Sequence, residues 1–477
     1  MNRIKRNIVL IFSVGLFSLS LNAQTLVQAK ALFEEGKYSE ALPAFEKYVK
    51  RNPSNAQLNY YVGTCLFETN HRENAESYLK KSADRGFTDA CLYLGRLAAD
   101  KYLYDDGVGL YDEFLEGRKK KKLPTTDYDA EYEHVKLGSR MLKGTEQVQF
   151  IDSVVVDKNV FLQSYTISQE SGVISTYAGY FNQPDKDGGT LYQTELGNKI
   201  WFGKRVGNEP MQLYTSDRLE GKWSEAQQLS GLDNHGDMNY PYVLADGVTL
   251  YYAAKGKDSL GGYDIFVTRF NPDTNQYLKP ENLGMPFNSP ANDYMYVIDE
   301  YNNLGWFATD RNQPEGKVCI YTFIPNKSRL TFDYENTPKS VVVAAARLSK
   351  ISSTQKDKDA VREAKQRLAL EINRPHSVEK KVDFTFIIND LITYHSLGDF
   401  HSSKAKNLFK TLQQMKYEYS RISCNLREMR SEYAKGGTDR KVNLKNPILE
   451  METRLEKMEL DIDKQETAVR NEELKIK

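Results

Sequence analysis

The 477-residue sequence predicts an α+β multidomain protein: an N-terminal α-solenoid, a β-propeller of four or five blades, and a C-terminal antiparallel coiled-coil hairpin. Three observations predict it. Helical segments near the N-terminus fall into register 34 residues apart. A unit of short strands recurs in the middle of the chain at steps of 50 and 54 residues. Apolar residues in the last 75 positions alternate in steps of four and three, the period of a helical seam.

Length alone points to about three domains. Lysine plus arginine equal aspartate plus glutamate at 65 each, so there is no electrostatic case for nucleic acid or an anionic membrane. Residues 1–23 have the form of a signal peptide, with Arg3, Lys5 and Arg6 ahead of an apolar run from Ile8 to Leu21 and a cleavage site after Ala23. Leu21 stands where a small residue is usual. The expectation is an exported protein beginning at Gln24, in the periplasm and peripheral to a membrane at most. Cys65, Cys91, Cys319 and Cys424 are scattered over three proposed domains, unlike a disulfide framework. Only Cys65 and Cys91, on neighbouring helices, are placed to meet. The 31 tyrosines, many between 177 and 335, suit strands with one dry and one wet face.

Residues 24–143 read as helix pairs. Gly36 to Ala41 and Asn70 to Ala75 occupy equivalent places. Ala29, Leu32, Tyr38, Ala41, Phe45 and Tyr48 take the packing positions of the first repeat, and Val62, Gly63, Leu66, Ala75, Leu79 and Ser82 those of the second. After a 32-residue step, Leu94, Gly95, Ala98, Tyr104, Gly107, Tyr111 and Phe114 follow. Small residues let the helices of a pair approach, large ones fill the wedge between pairs, and a helix over about 128–142 caps the array. This segment resembles a tetratricopeptide repeat (TPR) domain. The resemblance implies a concave groove lined by the first helix of each pair, displaying Lys30, Phe33, Tyr60, Thr64, Phe67, Arg96 and Asp100. The alternative for Phe33 and Phe67 is packing against the next helix. The basic and asparagine set with which some TPR domains clamp a C-terminal carboxylate is missing.

From 147 to 333 the pattern is β. Ile200-Trp201-Phe202, Leu250-Tyr251-Tyr252 and Leu304 to Phe307 read as equivalent strands. Each leads to a partner strand at Gln212 to Tyr214, Asp264 to Val267 and Cys319 to Thr322. Trp223 to Leu229 and Tyr277 to Leu283 supply the next strand. Asp246-Gly247 marks a turn needing positive φ, and Gly262 with Asp264 sets the start of a third strand, giving Asp264 a structural role. The run from Tyr240 to Tyr252 followed by Gly261 to Phe266 resembles the WD40-like repeat of Tol-type periplasmic propellers. Residues 334–381 read as a helical excursion opened by Thr337 as N-cap and Pro338 as first helical residue. Residues 382–400 are β-rich and a candidate to complete the propeller.

Residues 402–477 carry two heptad stripes: Leu408, Leu412, Met415, Tyr419, Ile422, Leu426, Met429 and Tyr433, then Ile448, Leu455, Ile462 and Val469. Gly436-Gly437 between them predicts an antiparallel hairpin. Gln465 and Glu472 at later seam positions predict an end that frays or meets a partner. Phe409, Tyr417 and Leu460 beside the stripe predict an apolar flank open to a second copy or a partner helix.

The six histidines never take a metal-ligand spacing, and no phosphate loop or nucleophile elbow is present. No cofactor is expected. Ser216 to Trp223 resembles the turn motif of sialidases, with Arg218 where that motif needs aspartate. His235, Asp237 and Asp246 are the residues for a carboxylate cluster in glycoside hydrolysis. The order of signal peptide, TPR, WD40-like repeats and helical tail resembles a family of Bacteroidota-type envelope proteins that includes the TPR–propeller subunit of type IX secretion. That subunit carries an OmpA-like domain where this chain has helices. The resemblance implies a non-enzymatic periplasmic scaffold or adaptor. Its partners would be envelope proteins, outer-membrane or secretion components among them, with dimerisation through the tail. The alternative is a propeller that binds or hydrolyses glycan.

Overall fold

The computed structural model describes residues 25–182, 188–219, 221–232, 236–374, 384, 386–389, 392–394 and 396–475. Residues 1–23, where the sequence predicts a signal peptide, lie outside these residues, as do His235, His376 and His395. The chain forms two compact units that divide between Asn373 and Arg374.

In the first unit, α1 (Leu26–Glu34) pairs with α2 (Tyr38–Arg51), α3 (Ala56–Glu68) with α4 (Arg72–Ala83), and α5 (Asp89–Asp100) with α6 (Tyr104–Lys120). The helix α7 (Asp129–Lys143) packs on α6. Local chemistry sets the starts. Thr25 accepts from the Gln28 amide in a capping box, and the Asn55 side chain accepts from the Leu58 amide. Every packing position named for the three repeats is buried or half-buried, and the large apolar ones among them share one core. The glycines are there because helices cross closely: a Cβ on Gly63 would stand 2.6 Å from Leu79 Cγ, and one on Gly95 2.7 Å from the Tyr111 ring. Cys65 and Cys91 do not pair. Both are buried free thiols, and Cys91 Sγ donates instead to Glu113.

The chain then enters β1 (Gln149–Asp157), whose partner comes much later. The next sheet holds β2 (Val173–Thr176), β3 (Gly188–Gln193), β4 (Lys199–Lys204) and β5 (Gln212–Leu219), with short β6 (Lys222–Trp223) and β7 (Gln227–Gln228) on β5. The short helix α8 (Tyr177–Phe181) lies between β2 and β3. The second sheet runs through β8 (Met238–Val243), β9 (Thr249–Ala254) and β10 (Asp264–Asn271), edged by β11 (Gln276–Tyr277) and β12 (Glu281–Asn282). The third has β13 (Asp293–Asp299), β14 (Leu304–Thr309) and β15 (Lys317–Ile324), and its fourth strand is β1, with Ser153 opposite Tyr321 and Val155 opposite Cys319.

Three sheets of this kind are present among the described residues, where the repeat predicts four or five. The strand that completes the last of them comes from before the first repeat, not from 382–400. All three sheets share one core. In β13 and β14 every residue is buried, which is why these strands lack the alternation of a half-exposed sheet. For the same reason many tyrosines are dry on both sides: Tyr242 and Tyr165 are buried and give their hydroxyls to the Ile298 and Met295 carbonyls.

The excursion joins the two halves of this unit. The helix α9 (Lys339–Ala346) buries Val342 and Ala346 in the helical core together with Leu260 and Met285 of the sheet region. The helix α10 (Lys358–Ile372) buries Val361, Ala364 and Leu368 in the sheet core, and Arg367 Nε donates to the Asn302 carbonyl at 2.7 Å. Pro338 takes the N-cap place of α9, one residue later than predicted, because its ψ of 127° is extended.

In the second unit, β16 (Phe386–Asn389) pairs with β17 (Ile392–Tyr394), and α11 (Ser403–Lys435) packs against α12 (Thr438–Leu474). Ion pairs Lys404–Glu472, Arg430–Glu452 and Arg454–Glu418 fix an antiparallel hairpin. The far end of α12 is closed by this chain itself, contrary to expectation. Val469 is fully buried, Gln465 donates to the Leu408 carbonyl, and Glu473 accepts from the His401 and Ser402 amides and the Tyr394 hydroxyl. Phe409 is likewise covered, packing on Phe384, Phe386 and Phe400. Tyr417 and Leu460 do stay exposed.

Candidate functional site

The first helices α1, α3 and α5 carry a line of rings. Phe33 meets Tyr60 edge-on with centroids 6.0 Å apart. Tyr60 meets Tyr93 at 6.1 Å, and the Arg96 guanidinium lies 5.1 Å from the Tyr93 ring centre, within cation–π reach. Lys30 stands 5.7 Å over Tyr61 at the start of the line.

Two predicted groove residues do not face outward. Thr64 is fully buried, and Phe67 is 8 % exposed because Tyr93 packs against it and Arg72 covers it. Packing against the next helix wins for Phe67, while Phe33 stays half-buried.

Arg96 and Asp100 are brought together in a cleft of about 420 Å³ between α5, α7 and the sheet region. Neither is idle. Arg96 grips Glu131 of α7 with two bonds of 2.6 and 2.9 Å, and Tyr111 donates to the same carboxylate. Burial alone would raise the Glu131 carboxyl; the bonds from Arg96 and Tyr111 outweigh it and hold the group below the usual carboxylate range. Asp100 is paired with Arg72.

Ser289, Pro290, Ala291 and Asn312 form the opposite wall, with Arg311 behind them. Arg311 donates to the Pro286 and Phe287 carbonyls and to Asp293. Arg347, at the end of α9, lines the cleft and sits 5.5 Å over the Tyr102 ring. It is exposed and has no carboxylate partner among the described residues. It therefore leaves the cleft with one uncompensated positive charge.

The sequence reading missed Tyr93, Glu131 and Arg347. Tyr93 was readable, since it follows Tyr61 at the 32-residue step. Glu131 and Arg347 lie on the cap and the excursion, where no repeat indicates what a residue will face.

The carboxylates considered for hydrolysis are held locally. Asp237 accepts from Arg205 at 2.7 Å and the Met211 amide at 2.8 Å. Asp246 accepts from the Val248 and Thr249 amides, next to Gly247 at φ 71°. Asp264 is fully buried and accepts from the Leu260 and Gly261 amides and from Asn282. Burial pushes its carboxyl up to about 7 against these donors. Among the described residues, no group of three or more histidine, cysteine, aspartate or glutamate side chains is placed to hold a metal ion. No helix among them is long and apolar enough to cross a membrane.

No curated protein matches the chain. The tetratricopeptide repeat family matches residues 26–90, which covers the first two helix pairs and the start of α5. The N-terminal region is therefore TPR-like, followed by a β-rich region of antiparallel sheets, and repeats of this type mediate protein–protein interaction.

Proposed function

We propose that the protein is a non-enzymatic scaffold of the bacterial periplasm that holds a partner polypeptide along its first-helix face and into the TPR–sheet cleft. We read the three sheets as the blades of a small propeller that backs this cleft, and the paired C-terminal helices as a coiled-coil arm. The observation that carries the reading is the half-buried run from Lys30 through Phe33 and Tyr60 to Arg96, joined by the buried Tyr93 ring behind it and ending at the unneutralised Arg347. Aromatic and arginine side chains are the residue types that dominate interface energy. Envelope proteins, secretion or outer-membrane components among them, are the partners that the signal peptide and the order of domains favour.

The test is a charge reversal that spares the fold. Lys30 and Arg347 hold no ion pair among the described residues, so Lys30→Glu with Arg347→Glu leaves the melting temperature within about 2 °C. Recovery of crosslinked envelope partners should drop severalfold relative to the parent protein. Unchanged recovery would refute the reading. Arg96→Ala is a poor choice here, because it strands Glu131 and loosens α7.

A further inference from the structure

The end of β13 remote from the TPR cleft opens on a second cavity, of about 370 Å³. Three equivalent hairpin turns wall it: 194–198 between β3 and β4, 244–247 between β8 and β9, and Glu300 with Tyr301 between β13 and β14. Gly197, Gly247 and Asn303 hold φ of 65°, 71° and 49° in these turns, which keeps each one short. Glu170 and Ser171 close the remaining side. Tyr192 and Tyr242 form the floor, their ring centres 4.7 Å apart.

The lining contains three carboxylates, Glu170, Glu195 and Glu300, and no lysine, arginine or histidine. Glu300 is oriented by the Ala245 amide, which donates to it at 3.0 Å. Glu195 is exposed and has no partner among the described residues. Acidic residues on turns are common, and alone they would mean little.

Tyr192 changes that. It is 4 % exposed, yet its hydroxyl has no hydrogen-bond partner among the described residues, while its neighbour Tyr242 gives its own to the Ile298 carbonyl. Tyr192 lines the cavity, so the bond its hydroxyl lacks within the chain has to come from what fills that space, water or a ligand. Burial first, then the charges of Glu195 and Glu300, push the Tyr192 hydroxyl above its usual range. The hydroxyl is therefore neutral and lies under the influence of both carboxylates.

We infer that this cavity binds the side chain of a lysine or arginine presented by a partner polypeptide. The cationic head would sit between Glu195 and Glu300 and donate to the Tyr192 hydroxyl oxygen, over tyrosine faces that favour a cation. Leu196 and Tyr301, 79 % and 66 % exposed at the mouth, would cover the aliphatic stem. The site is separate from the TPR cleft, at the other end of β13, so the two can fail independently.

The test titrates the full-length mature protein with a fluorescent nonapeptide of glycine and serine carrying one central arginine. Parallel arms use lysine or citrulline in its place. Saturable binding of the arginine and lysine peptides is expected, reduced about tenfold or more by Glu195→Gln with Glu300→Gln and weakened by added salt. Glu195→Gln alone, at an exposed position, should already weaken binding severalfold and serves if the double variant misfolds. Tyr192→Phe should weaken it further without abolishing it. Three results would each overturn the inference: equal binding of the citrulline peptide, undiminished binding in both glutamine variants, or no binding of the arginine peptide at about 1 mM. Free arginine amide competing as effectively as the peptide would also overturn it, by assigning the site to a small cation instead of a polypeptide.

Discussion

Arg311 and Asp293 form an ion pair of 2.7 Å in which the two side chains are only 4 % and 0 % exposed. The pair sits behind the cleft wall. Asp293 also accepts from the Ser289 amide and hydroxyl, and Arg311 holds the Pro286 and Phe287 carbonyls. One ion pair therefore ties the loop before β13 to the strand end of β14. Removing one partner leaves the other charged and buried, a loss of about 3–5 kcal/mol. Arg311→Met should lower the melting temperature accordingly and loosen residues 286–291 in hydrogen exchange. A change under about 1 kcal/mol in denaturant titration would contradict this.

Asp264 is the matching anchor in the second sheet. Asp264→Ala strands the Leu260 and Gly261 amides in a buried turn, which should cost about 2–3 kcal/mol. Asp237, which is partly exposed, should cost less on replacement by asparagine. Urea unfolding of both variants compares them directly, and an inverted order would show that the turn is not held through Asp264.

The Glu131 link should be sensitive to acid. Its carboxyl is held below the usual range in the fold, so its contribution is present above the unfolded value near 4.3 and is lost as pH falls through the folded value. Both side chains are about a third exposed, so screening limits the effect to on the order of 1 kcal/mol. The gap in melting temperature between the parent and Glu131→Gln should be open at pH 7 and should narrow as pH falls below about 4.3. A gap that widens on acidification would have the wrong sign for this pair.

The two compact units should melt separately. Ile422 is buried in the α11–α12 seam with Leu426, Ile448 and Leu455, and lysine there places a charge in an apolar layer, costing about 3 kcal/mol or more. Ile422→Lys should unfold the hairpin while residues 25–373 keep their transition. Removal of 374–477 should do the same. Loss of the tryptophan signal of the first unit in near-ultraviolet dichroism after either change would show that the units depend on each other.

The helical repeats were legible because their signals are local and periodic: Gly63 against Leu79 and Gly95 against Tyr111 are packing rules that return at each step. Strands β4, β9 and β14 were legible for the same reason. Sheet closure by β1 was not, because Val154 to Val156 look like any exposed β run until Ile320 and Cys319 lie opposite. The sealed end of α12 was missed through Glu473, whose partners are backbone amides of His401 and Ser402. In the candidate site, Lys30, Phe33, Tyr60, Arg96 and Asp100 are reachable from outside. The burial of Phe67 depends on Tyr93 of the next pair and on Arg72, contacts between helices that the groove positions of one repeat do not specify.

The central claim, that the first-helix face and cleft hold a partner polypeptide, is tested most directly by photo-crosslinking in intact cells. A benzophenone amino acid is placed at Lys30, at Arg347, and at Glu116 on the second helix α6. The account predicts discrete protein adducts from positions 30 and 347 that share a component, and none of that component from 116. Adducts from 116 that match those from 30 and 347, or none from either of the latter, would contradict it.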